Sequence, residues 1–315
     1  MSLMSGLLTT GARTFFGVPS VVELANVTAQ VAFLGVPFDG GTPQPGNRTG
    51  QKLGPAAARH ASWEQFTYGE SLEEGAAGWY DIETDRDRLR GVTMVDVGDV
   101  VIQGADDHGN FARMREAANR IVGHGCVLVA VGGDHSISFP LAAGVAAHRR
   151  VEMVHVDAHA DFWDELDGSR LTGASQLRRI AELPDILGVT ALGLRNVERE
   201  EVDAMRELGV RFATTLDLVD RGPEAVVSEL VPECDAIYLS IDLDVLELGL
   251  VPGTTLPEPG GLSYRELRAT LAAVARRGRV VAFDIAELNP PADSSGATAR
   301  LATWLITHLL SELFD

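Results

Sequence analysis

The chain has 315 residues, 45 % of them hydrophobic and 23 % charged, enough for one large domain or two ordinary ones with a full core and no disulfide staples. Collagen-like, disordered and disulfide-scaffold classes are excluded by that composition. The excess of 45 acidic over 26 basic side chains leaves a net charge of −19, which repels nucleic-acid phosphate and anionic membrane surfaces and favours small cations, metal ions included.

Short runs rich in Val, Ile and Leu alternate with helical patterns along the whole sequence. Strands are expected at 31–36, 93–97, 126–131, 151–157, 189–194, 210–213, 236–241 and 280–285. Helices are expected at 55–62, 110–123, 137–148, 174–183, 197–208, 223–230, 264–277 and 297–313. Asn110 is the expected cap of the second helix, and Ser263 with Glu266 forms a capping box for the seventh. Continuously apolar strands followed by crossover helices imply an α/β fold with a parallel sheet buried on both faces. Strand spacing alone leaves a closed barrel and an open doubly wound sheet both possible. No linker or repeat divides residues 1–315, so a single domain is expected. Two irregular stretches, 40–54 (GGTPQPGNRTGQKLG) and 246–261 (LELGLVPGTTLPEPGG), are the long loops of this pattern, and such loops tend to be functional.

No apolar run approaches the ~20 residues that span a bilayer. No basic-then-apolar leader opens the sequence, and Cys126 and Cys234 read as buried free thiols of a reducing compartment. A cytoplasmic protein is expected, without nucleic-acid or membrane partners.

Ligands of open α/β sheets gather beyond the carboxyl ends of strands. There the sequence places Gly132-Gly133-Asp134-His135, then Asp157-Ala158-His159-Ala160-Asp161, then Asp242-Leu243-Asp244, and finally Asp284 with Glu287 and Asn289-Pro290. Side chains alternate along an extended segment, so Asp157, His159 and Asp161 share one side, as do Asp242 and Asp244. With His135 this assembles four carboxylates and two imidazoles, a set too negative to bury without cations. Two divalent ions would balance it. An oxygen-rich set with some imidazole and no thiolate favours Mn²⁺ over structural Zn²⁺, and water shared by two such ions is a hydroxide near neutral pH. His155 has the same parity but sits deeper, and reads as a core histidine. His60, His108, His124, His148 and His308 read as surface residues, and Asp134 as a helix cap or an orienter of His135.

These motifs, in this order, resemble the ureohydrolase (arginase/agmatinase) family. The resemblance runs through PGNRTGQKLGP (45–55), GGDHS (132–136), VDAHADFWD (156–164), SIDLDVLELGLVPGTTLPEPGGLS (240–263) and FDIAELNP (283–290), nearly the whole chain, and is closest in pattern to the agmatinase-like branch. It implies a three-layer α/β/α arginase-like fold around an eight-stranded, mainly parallel sheet. It also implies two Mn²⁺ per subunit, a homo-oligomer (trimer or hexamer), and hydrolysis of a guanidino substrate to urea and an amine by attack of a metal-bridging hydroxide. By motif, His135, Asp157, Asp161 and Asp242 hold one metal; Asp157, His159, Asp242 and Asp244 hold the other. Asp161 and Glu287 are the implied catalytic residues, with Glu287 gripping the guanidinium. Two positions depart from the family pattern. Thr172-Gly173 stands where a His-Gly pair is usual, which makes Thr172 a substrate-side position lacking the proton-shuttling imidazole. Glu247-Leu248 stands where Asp-Pro is usual. Arg48 and Lys52 are candidates to meet an acidic substrate tail. The Thr172 departure keeps two alternatives open: a formimidoylglutamate hydrolase releasing formamide, and a metal-binding homologue without turnover.

Overall fold

Runs such as VAFLGV and VLVAVG can be buried on both faces only if helices cover both. The computed structural model describes residues 7–10, 13–42, 48–65, 78–104 and 106–315, and it meets that requirement. Its strands in chain order are β1 (Leu8–Thr9), β2 (Val31–Val36), β3 (Trp79–Asp81), β4 (Arg86–Arg88), β5 (Met94–Val100) and β6 (Val127–Gly132). They continue with β7 (Val151–Val156), β8 (Ile186–Leu194), β9 (Arg211–Thr214), β10 (Cys234–Asp242) and β11 (Gly278–Ala286). One sheet runs in the order β1-β5-β2-β6-β11-β10-β7-β8-β9, while β3 and β4 make a separate antiparallel pair. The sheet is open, so the barrel alternative falls away.

The eight expected strands are the parallel ones; β1, only two residues long and antiparallel to β5, adds a ninth that no periodicity could announce. Along β2, Val31 and Phe33 pack with Leu267 and Leu271 of helix Tyr264–Ala275 and Ile306 and Leu309 of helix Ala297–Phe314. The alternate residues Ala32, Leu34 and Val36 pack with Met114 and Ile121 of helix Asp107–Gly123 and Leu141 of helix Ser138–Ala146. The two faces give the three-layer α/β/α arrangement. Each large side chain so buried contributes roughly 1.5–3 kcal/mol, which makes the sheet a rigid base for what its ends carry.

Some element ends shift for local reasons. Asp106, not Asn110, caps the second helix, its carboxylate accepting from Gly109 N, so that helix starts at Asp107. Asn110 instead accepts from Gln103 N (2.8 Å) and donates to Gln103 O (2.9 Å). The expected helices at 137–148 and 174–183 are each preceded by a tight turn, His135–Ile137 and Gly173–Ser175, and shorten to Ser138–Ala146 and Gln176–Ala181. Helix Thr215–Arg221 and the β3–β4 pair were not expected. Ser263 makes its capping box as read. The prolines and glycine at 43–47 lie outside the described residues.

Sheet order decides where the chemistry sits. β10 and β11 come last in the chain yet insert between β6 and β7. Ser240 is in register with both His155 and Asp284, so the carboxyl ends of β6, β11, β10 and β7 stand side by side. Motifs more than a hundred residues apart become neighbours.

Candidate metal centre

His135 opens the short helix His135–Ile137 directly after β6 and points its Nδ1 across the strand ends. It lies 3.0 Å from Asp157 Oδ2, 3.1 Å from Asp161 Oδ2 and 3.1 Å from Asp242 Oδ2. His159 Nδ1 lies 3.0 Å from Asp244 Oδ2 and 3.5 Å from Asp157 Oδ1. Asp157 therefore faces His135 with Oδ2 and His159 with Oδ1, and the six residues expected from the motifs form two adjoining groups that share it. Backbone N–H groups fix them. His159 N donates to Asp157 Oδ1 (2.6 Å), Asp244 N to Asp242 Oδ1 (2.8 Å), and Ala158 N to Asp244 Oδ1 (3.3 Å).

These distances are not those of a finished hydrogen-bond network. His135 Nδ1 and Asp157 Oδ2 are buried and neither has a hydrogen-bond partner, although they are 3.0 Å apart. Buried ligand atoms this close that form no hydrogen bond are what a cation between them would satisfy. Electrostatics agrees. Burial, then the neighbouring Asp244 and Asp157 charges, push the Asp242 carboxyl well above its ordinary range. Burial and Asp157 raise Asp244 to about 6. Burial opposes a charged His159 ring, but the Asp244 and Asp157 carboxylates outweigh it and raise its pKa. Without added positive charge the cluster holds protons; oxygen-rich ligands with one imidazole per group fit divalent ions.

A cavity of ≈ 320 Å³ opens over this cluster, reached by His135, His159, Asp161, Asp242, Asp244 and Glu287. Glu287 follows β11 with φ +61°, and Asp161 has φ +50°; both hold a left-handed backbone that costs energy for a non-glycine residue and aims the side chain inward. Glu287 Oε1 accepts from His135 N (2.8 Å), and Oε2 accepts from Gln51 Nε2 (3.1 Å) and from the Thr255 hydroxyl. Burial raises its pKa against these bonds.

Residues 29–311 match the Arginase family. The chain belongs to that family. It is 32 % identical over 313 residues to guanidinopropionase of Pseudomonas aeruginosa, covering 97 % of this chain and 92 % of the relative. It is 30 % identical to the mitochondrial agmatinase of Gallus gallus, covering 94 % and 86 %. The solved proclavaminate amidino hydrolase of Streptomyces clavuligerus superposes with a TM-score of 0.83 at 26 % identity, covering 96 % and 97 %. As an Arginase-family protein the chain is a hydrolase acting on carbon–nitrogen bonds of linear amidines.

Several positions sit differently from their reading in sequence. His155 is fully buried, as a core histidine should be, but it is not remote: its Nε2 lies 3.1 Å from Asp157 Oδ2 and its ring stacks 5.0 Å from that of His135. Thr172 is buried and pairs its hydroxyl with Ser175 Oγ (2.7 Å); Gly173 and Ala174, not Thr172, line the cavity. Glu247 is no ligand. Its Oε2 accepts from Gly260 N (2.8 Å) and Gly261 N (3.0 Å), so this arginase-family member uses its departure from Asp-Pro to pin the PEPGG loop. Lys52 pairs with Asp39 at 3.4 Å. Asp134 caps the His135 turn, accepting from Ser136 N (3.0 Å) and Gly41 N (2.6 Å), and burial together with Glu287 raises it to about 7. His308 is half-buried among Trp79, Trp304 and Tyr264, not on the surface, and burial lowers its pKa to about 4. Cys126 is buried and Cys234 half-buried, both free.

Further contacts around the cluster escaped the sequence reading. Behind His135, its Nε2 meets Ser240 Oγ (2.8 Å), and Asp284 Oδ1 accepts from Ser240 (2.9 Å) and Ser138 (3.0 Å) while Tyr238 donates to Oδ2. On the other side, Glu258 Oε1 stands 3.6 Å from His159 Nε2 and accepts from Asn196 Nδ2 (2.7 Å). The only sequence signal for Asp284 was its place on a strand that delivers Glu287, and for Glu258 the PEPGG motif.

Proposed function

We propose that this protein hydrolyses a guanidino compound to urea and an amine, using two Mn²⁺ per subunit. The observation that carries the reading is the convergence of Asp157, Asp161 and Asp242 on His135 Nδ1 at 3.0–3.1 Å without a hydrogen bond, beneath a cavity walled by Glu287. His135, Asp157, Asp161 and Asp242 would hold one ion, and Asp157, His159, Asp242 and Asp244 the other. Bound there, two divalent ions supply Lewis acidity and a water that is nucleophilic near neutral pH. Manganese suits a donor set of carboxylates with two imidazoles.

The chain's own groups do the rest. Glu287, held by Gln51, Thr255 and His135 N, presents a fixed carboxylate to a planar, delocalised cation and can meet it with two hydrogen bonds. Among the four ligand carboxylates, Asp161 has the most exposed side chain, 14 % against 4 % or less for the others. It is therefore the carboxylate best placed to take a proton from the attacking water and return it to the leaving amine. Ser240 and Asp284 keep His135 oriented from behind. The whole chain acts as one unit, in the cytoplasm, as a homo-oligomer.

A second reading, a formimidoylglutamate hydrolase, draws on Thr172: a threonine there supplies no imidazole to shuttle protons, and its hydroxyl is paired with Ser175. Protein loaded with Mn²⁺ is assayed for urea on agmatine, arginine, guanidinobutyrate and guanidinopropionate, and for formamide on formimidoylglutamate. Urea from a guanidino substrate is the expected result. Formamide alone moves the protein to the second reading.

A further inference from the structure

The lining of the cavity also includes Trp163 and Leu166 after β7, Val197 and Glu198 after β8, and Leu256 in the 246–261 loop. Trp163 is held there by its backbone N–H, which donates to Ala174 O at 3.0 Å. Most of this group is apolar, with Glu198 its charged member beside the polar Asn196. Glu198, exposed, caps helix Arg199–Glu207. Glu198 shares a capping box with Glu201, which also accepts from Phe162 N (2.9 Å), and Glu258 accepts from Asn196.

No lysine or arginine lines this cavity, and every lysine and arginine of the chain is among the described residues. Arg195, next to Asn196, spends its guanidinium on the carbonyl oxygens of Val245 (3.2 Å), Leu246 (3.2 Å) and Glu258 (3.0 Å). Lys52 is paired with Asp39, and Arg48 is exposed outside the lining. A substrate ending in a carboxylate would therefore bring a negative charge to a wall that offers it no cation and already carries Glu198. Like charges brought together in a partly desolvated site are strongly disfavoured.

Resting on the amidinohydrolase reading, we propose that the cavity selects a guanidino substrate whose far end is a protonated amine. Its methylenes lie against Trp163, Leu166 and Leu256, and the ammonium takes the Glu198 carboxylate and the Trp163 ring face, a pairing suited to a cation. The charges then match throughout: Glu287 for the guanidinium and Glu198 for the amine. This separates the chain from its relative guanidinopropionase, whose name marks an acid-ended substrate.

The test is kcat/KM for urea release by Mn²⁺-loaded protein on agmatine, butylguanidine and 4-guanidinobutyrate, a series differing in end charge. Agmatine is expected to exceed butylguanidine about tenfold, the ion pair and the ring contact supplying about threefold each, with 4-guanidinobutyrate lowest. Glu198→Gln should lower the agmatine-to-butylguanidine ratio about threefold while keeping a side chain able to cap the helix. Trp163→Leu should lower the same ratio about threefold. A higher kcat/KM for 4-guanidinobutyrate than for agmatine, or a ratio unmoved by Glu198→Gln, overturns the inference and leaves the amidinohydrolase reading standing. No urea from any of the three, with formamide from formimidoylglutamate, overturns both.

Discussion

Two regions of this molecule bury carboxylates, and they treat them differently. At the sheet edge, Arg59 Nε and Nη2 meet Asp96 Oδ2 and Oδ1 at 2.8 and 3.0 Å, and Nη1 meets Asp99. Asp96 also accepts from Phe15 N (2.8 Å) and Gly98 N (2.8 Å), and the Phe15 ring lies 4.4 Å from the guanidinium. Every charge there has a partner supplied by the chain. At the candidate metal centre four carboxylates share the imidazoles of His135, His155 and His159, and buried atoms 3.0 Å apart stay unpaired. A charge cluster that the chain completes is structural; one that it leaves incomplete is a site.

The largest effect should come from breaking the incomplete cluster. His135→Ala is expected to lower urea release by about a thousandfold or more, because the metal-derived nucleophile is lost. Metal analysis should find less than two Mn²⁺ per subunit, and full activity without metal would break the comparison. Breaking the complete cluster has the opposite signature. Arg59→Met leaves Asp96 buried without its cation and should cost about 3–5 kcal/mol by urea denaturation, with metal content of the folded protein unchanged.

His308 sharpens the contrast, since there the protein keeps a half-buried titratable group neutral instead of pairing it. Its folded pKa of about 4 lies below the ordinary histidine value, so the unfolded chain binds the extra proton first. Stability should therefore rise with pH between about 4 and 6.5 through this group. The contribution is on the order of 1–2 kcal/mol after solvent screening of a half-exposed ring. Comparing the urea midpoints of wild type and His308→Phe across that range isolates it; parallel curves would contradict the assignment. The smallest effect belongs to Glu247. Removing its two backbone bonds in Glu247→Ala should cost about 1 kcal/mol and raise KM more than it lowers kcat, as the PEPGG loop loosens.

How much of this was legible beforehand follows from what each feature depends on. The parallel strands and the six cluster residues announce themselves locally: β-branched runs, then His or Asp at fixed parity beyond the strand end. The order of strands is not local. That β10 and β11 insert between β6 and β7 makes Asp284 and Ser240 the backing of His135, and no spacing carries that. His155 illustrates the limit. Its parity gave the correct face and its depth argued for the core, yet its ring stacks on that of His135 and its Nε2 lies 3.1 Å from Asp157. Thr172 illustrates another, because a position known from a motif says nothing of where a rotatable hydroxyl turns. Glu247 and Glu258 belong to a loop whose path is set by backbone contacts with Gly260, Gly261 and Arg195, which only the folded chain makes.

The central claim is that the chain gathers these carboxylates to be completed by two metal ions. Anomalous diffraction at the manganese edge, from crystals grown with Mn²⁺, tests it most directly. Two peaks are predicted, one bound by His135, Asp157, Asp161 and Asp242 and the other by Asp157, His159, Asp242 and Asp244. No peak, a single peak, or one bound through His155 in place of His135 would contradict the account.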